Sequence, residues 1–135
     1  MTHFTRRSAL TLLAGGLLVI GSSACAKAIV QRQQFIYVLR VMPKFQDPRE
    51  WTEREKAVVG QNFEHLSKAA AQGQVILVGR TTEPLAITFG VVIFEATNLE
   101  AARHFIESDP AIAAGVMTAT LHPYAVALHR AQRIE

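Results

Sequence analysis

Cysteine is almost absent from this sequence. Cys25 stands alone among 135 residues, so no disulfide can form within the chain. Ligand spacing is missing as well. His3, His65, His104, His122 and His129 include no His-x-x-x-His pair, and no Cys-x-x-Cys accompanies them, which argues against a structural zinc. No G-x-x-x-x-G-K or G-x-G-x-x-G motif occurs, so nucleotide binding has no support; Gly15-Gly16 belongs to the leader described below. No apolar run reaches the roughly 20 residues that a bilayer span needs. Nor is there a basic cluster beyond residue 28. Of 14 Lys and Arg, three (Arg6, Arg7 and Lys27) precede Ile29, which leaves 11 basic against 11 acidic residues. Nucleic-acid binders need a basic face or stripe, and that balance does not supply one.

What is present divides at about residue 28. The chain opens Met-Thr-His-Phe-Thr-Arg-Arg, continues through the apolar stretch Ala9 to Gly21, and reaches Ser22-Ser23-Ala24-Cys25-Ala26. A positive start, a short apolar run and a small-residue tail make an export signal. Thr5-Arg6-Arg7-Ser8-Ala9-Leu10 resembles a twin-arginine signal. Ser22-Ser23-Ala24-Cys25 resembles a lipoprotein cleavage box with lipid added to Cys25, although such boxes usually carry an apolar residue at the position of Ser22. Ordinary cleavage after Ala26 or Ala28 is the alternative. The expected organisation is a leader over residues 1–28 and one domain over residues 29–135. The product would be periplasmic, or held at a membrane only through the leader or a lipidated Cys25.

The domain holds 107 residues, and the chain is 50% apolar. That size buries roughly two-thirds of its unfolded surface, enough for one core. Phe35 to Met42 is aromatic and β-branched and predicts a first strand, apolar at nearly every position. Such a strand should be covered on both faces or lie at an interface. Thr52 with Glu55 forms a capping box, and Val58, Val59, Phe63, Leu66, Ala69 and Ala70 make a helical stripe that Gly73 ends. Val75 to Val78 and Phe89 to Glu95 are the next strands. Asn98 caps a second helix, and Asp109-Pro110 breaks it. Pro110 opens a short helix through Ala114, ended by Gly115. Val116 to Leu128 reads as a long last strand, in which Pro123 argues for an edge position or an irregularity.

The order is β-α-β-β-α-β. The expected fold class is α+β: a four-stranded antiparallel sheet with two helices on one face. The bare opposite face predicts a homodimer with sheets packed face to face, the alternative being a short tail or leader segment that covers the sheet.

Several stretches, taken in order, carry a resemblance. They are Asn62-Phe63-Glu64-His65-Leu66, Gly73 to Gly79, Gly90 to Glu95, Leu99-Glu100-Ala101-Ala102, and Ser108-Asp109-Pro110-Ala111-Ile112-Ala113-Ala114-Gly115-Val116. Over roughly Phe35 to Leu128 the chain resembles the YciI-like, or YCII-related, domain family. The resemblance implies a ferredoxin-like sandwich that pairs into a dimeric α/β barrel. It also implies kinship with muconolactone isomerases and with an enzyme removing chloride from a muconolactone-type substrate. The family's site pairs a histidine with an aspartate, roles that fall here on His65 and Asp109. The leader sets this chain apart from the bare domains typical of the family.

Those two residues suit acid–base work. An imidazole exchanges protons in the neutral range, and a carboxylate can orient it. Arg80 or Arg40 would stabilise a substrate anion. No serine or cysteine nucleophile motif joins them, so acyl transfer is not expected. Two functions follow: a small lyase or isomerase acting on an organic acid or lactone, or a non-catalytic dimeric module binding a small apolar acid. Neither reading calls for a cofactor. Trp51 and Phe45 are candidates for the rim of such a site, or for a staple on the first helix.

Overall fold

A computed structural model describes residues 31–129. The leader, its twin arginines and Cys25 lie outside those residues. Among the described residues no helix is long and apolar enough to cross a membrane.

Four strands form one antiparallel sheet: β1 (Gln33–Val41), β2 (Val75–Arg80), β3 (Gly90–Ala96) and β4 (Met117–Pro123), in the spatial order β2-β3-β1-β4. Helices α1 (Glu53–Ala71), α2 (Leu99–Glu107) and the short α3 (Pro110–Ala113) supply the other layer. This is the expected ferredoxin-like sandwich. The expected barrel is not there. The sheet is open, with β2 and β4 as its two edges, so no strand closes it on itself.

Local chemistry explains the element ends. Thr52 accepts from the Arg54 amide, and the Glu55 side chain returns to the Thr52 backbone, completing the capping box. Helix α1 ends at Gly73, whose φ of 76° is a conformation open to glycine. Asn98 accepts from the Ala101 amide at 2.8 Å and starts α2. Pro110 holds Asp109 in extended backbone, and α3 begins immediately after it. Gly115, at φ 70°, closes that turn.

The capping box also predicts an acid response. The Thr52 hydroxyl, followed by the Thr52 amide and Arg54, holds the Glu55 carboxyl down at about 2. A depressed carboxyl stabilises the fold above its unfolded value and loses that contribution as pH falls through the folded one. The thermal midpoint should therefore drop between about pH 4.5 and pH 2. Thr52→Ala should lower it at neutral pH by the equivalent of about 1 kcal/mol. It should also flatten the acid limb, as differential scanning fluorimetry across that range would read. An acid limb unchanged in the variant would refute the assignment.

The core lies between the sheet and the helices. Phe35, Tyr37, Leu39 and Val41 alternate inward from β1 and are buried. Across the sheet, Phe94 meets Phe35 and Tyr37 at centroid distances of 5.9 and 5.6 Å, and Phe105 of α2 lies 4.8 Å from Phe94. Burial of so many aromatic rings is the largest favourable contribution on this face.

Among the described residues, no helix covers the opposite face. Ile36 pairs with Ile93 and Val38 with Val91, all half-buried, while Leu77 beside Ile93 is exposed. Among the described residues, the helices thus cover β1 on one face only, which leaves the other face to the expected alternative of an interface.

Two further expectations need correction. β4 stops at Pro123 rather than Leu128, with one further bond to β1 from the Tyr124 amide to the Gln34 carbonyl at 2.9 Å. The α1 stripe is rotated from its expected phase. Glu55, Val58, Asn62, Leu66 and Ala69 are the buried positions, while Phe63 is 68% exposed.

Candidate functional site

Sheet register explains why there is a cleft. On the helix-facing side, Arg80 of β2 sits beside Gly90 of β3, and Gly90 sits beside Leu39 of β1. Gly90 has no side chain to fill the space between its neighbours, so the sheet surface dips there. A cleft of about 400 Å³ opens over that dip, between α1 and the sheet. Its walls are apolar: Leu39, Val41, Val59, Leu66, Leu85 and Met117. Among the described residues, Arg80 is the only charged one lining it. Asn62 and Thr88 add polar groups, and exposed Phe63 stands at the helix side.

The loop between β2 and β3 is fastened at its neck. Thr88 donates to the Thr81 carbonyl at 3.0 Å, and the two hydroxyls lie 2.9 Å apart. Leu85 from this loop packs against the buried cluster of Val41, Phe45, Val58, Ala111 and Val116. Trp51 also lines the cleft, and its indole donates to the Phe45 carbonyl at 2.6 Å. Trp51 thus borders the cleft, as the rim reading expected, and its partner is Phe45 in the segment before α1 rather than a residue of the helix.

Beneath the cleft lies a buried polar network. Asp109 has no exposed surface. Its carboxylate accepts from Asn62 Nδ2 at 2.7 and 2.8 Å, from the Tyr37 hydroxyl at 3.1 Å and from the Ala111 amide at 2.9 Å. Burial, and after it the adjacent Asp109, pushes the Tyr37 hydroxyl well above its ordinary value. Tyr37 therefore remains a donor. One carboxylate thus ties together α1, β1 and the start of α3.

The structure separates the residues that the sequence grouped. The hydrogen bond expected between His65 and Asp109 is not formed. His65 stacks on Phe105 instead, with centroids 5.3 Å apart and planes 29° apart, and its Nε2 is buried without a partner. Nor does His65 line the cleft. Asn62, one helical turn earlier, takes the place beside Asp109. Arg80 does border the cleft. Arg40 does not: it alternates with Leu39 and Val41, leaves by the other sheet face, and lies over the Phe89 ring at 5.3 Å.

Asn62 is the site residue that sequence reasoning missed. The signal was available. Asn62 lies four residues after Val58 and four before Leu66, inside what proves to be the buried stripe. A polar residue at such a position must find a partner. Among the described residues no group of three His, Cys, Asp or Glu side chains is placed to hold a metal.

A search of curated proteins returned no match to this chain. The YCII-related domain matches residues 34–121, from the second residue of β1 into β4, and so spans every strand and helix that frames the cleft. The chain therefore belongs to the YCII-related domain family.

Proposed function

We propose that this domain binds a small apolar organic acid in the cleft and performs no acid–base chemistry of its own. The observation that carries the reading is the partner of Asp109. An amide, Asn62, faces that carboxylate where an imidazole was expected. An amide neither accepts nor releases a proton near neutral pH, and the Asp109 carboxylate behind it has no exposed surface and does not line the cleft, so the pair offers the cleft no base. The lyase or isomerase reading loses the group it depended on, because His65 is engaged with Phe105 outside the cleft.

The lining supports the class of ligand. Apolar walls favour a hydrocarbon body, and a single guanidinium favours one carboxylate. Arg80 is exposed, so solvent screens its charge and its contribution is modest.

Titration of the folded domain with phenylacetate tests this, followed by amide chemical shifts and by calorimetry. Saturable shifts should centre on Leu39, Asn62, Arg80 and Gly90. Arg80→Gln should weaken binding by about tenfold. Absence of binding by phenylacetate and other short carboxylic acids would overturn the proposal. So would turnover of a lactone that is lost in His65→Ala.

A further inference from the structure

The buried network fixes what Asn62 offers to the cleft. Its amide has one possible orientation, because Nδ2 lies within 2.8 Å of both Asp109 oxygens. Exchanging the amide oxygen and nitrogen would set a carbonyl against a carboxylate with no proton between them. Oδ1 therefore sits on the side away from Asp109. Among the described residues, no protein group donates to it, although hydrogen bonds are formed at Nδ2. Asn62 is 8% exposed, and it lines the cleft. Oδ1 is not among the buried atoms left without a partner, so it keeps contact with solvent, and a donor on a ligand in the cleft can take the place of water there.

From this geometry we infer that the cleft selects acids that also carry a hydrogen-bond donor, a hydroxyl or an N–H, aimed at Asn62 Oδ1. The inference rests on the organic-acid reading above and adds a second point of recognition to it. Arg80 holds the carboxylate at the β2 edge. Asn62 takes the donor from the α1 side. The apolar body lies between them, over Gly90. The Asp109 carboxylate polarises the amide from behind and makes Oδ1 a stronger acceptor. Tyr37 and Ala111 hold that carboxylate still. Asn62 is in this view a specificity residue, and Asp109 is a positioning residue that acts through it.

The test changes the ligand rather than the protein, so folding cannot confuse it. Phenylacetate is compared with mandelate, 3-hydroxy-3-phenylpropanoate and 4-hydroxyphenylacetate, which carry a hydroxyl at three distances from the carboxylate. The methyl ether of each is measured beside it. At least one hydroxy acid should bind about tenfold or more tightly than its parent acid, and its ether should lose that gain. The ether keeps the oxygen and removes only the donor, so the loss reports donation to the protein. Equal affinity of all hydroxy acids, ethers and parents, with Arg80 still required, would overturn this inference and leave the organic-acid reading standing. No binding by any member would remove both.

Discussion

Asp109→Ala is expected to lower the free energy of unfolding by about 3–5 kcal/mol. The substitution strands three donors at once: the Tyr37 hydroxyl, Asn62 Nδ2 and the Ala111 amide. Each buried polar group without a partner costs about 1–3 kcal/mol, less whatever water can repair. It also removes the side chain that caps α3. Domains of this size have about 5–15 kcal/mol in total, so the variant would lie near the limit of folding. Urea unfolding monitored by circular dichroism gives the number. Tyr37→Phe is the milder companion. It deletes one donor and leaves the carboxylate bonded to Asn62 and Ala111, for a cost of about 1–2 kcal/mol. The two losses should not add, because both substitutions break the same bond. An Asp109→Ala cost below about 1 kcal/mol would mean that the network is incidental to the fold.

The same network shows where sequence reasoning succeeds and where it stops. Thr52 with Glu55, Gly73, Asn98, Asp109-Pro110 and Gly115 all act within a few residues of themselves, and their roles were legible one by one. Each depends on local backbone geometry that any chain with those residues would share. The phase of α1 was less legible. Phe63 looked like a core residue, yet it stands exposed beside a cleft, because the buried stripe of α1 runs through Val58, Asn62, Leu66 and Ala69 instead. Choosing between His65 and Asn62 as the partner of Asp109 required the position of α3 relative to α1. That position follows from packing among Val41, Val58, Ala111 and Val116, which are far apart in sequence. Asp109 itself was legible as a residue of consequence, but for an imidazole it never touches. The β-α-β-β-α-β order was readable because strand and helix periods differ. Closure into a barrel was not, because it concerns what lies beyond β2 and β4 rather than any pattern within them.

Gly90→Val is expected to abolish ligand binding while leaving the domain folded. A Cβ at residue 90 would lie 3.4 Å from Leu39 Cβ and 3.5 Å from the Gly79 carbonyl oxygen, which is ordinary contact. The backbone there needs no positive φ, and valine suits a strand better than glycine does. Stability should therefore change by less than about 1 kcal/mol, with a small gain as the favoured sign. The two γ-methyl groups, however, would project from the helix-facing side into the space between Arg80 and Leu39. An acid lying over that dip would meet them directly. Affinity for phenylacetate should fall on the order of 100-fold. Gly90→Ala, with a single methyl, should fall between the variant and wild type. This pair separates two causes that Arg80→Gln cannot separate. Losing a guanidinium weakens any anion nearby, including one held loosely on the surface, whereas filling the floor affects only a ligand seated on it. If Gly90→Val binds phenylacetate as wild type does, the acid sits elsewhere, and the open sheet face formed by Ile36, Val38, Val91 and Ile93 becomes the place to look.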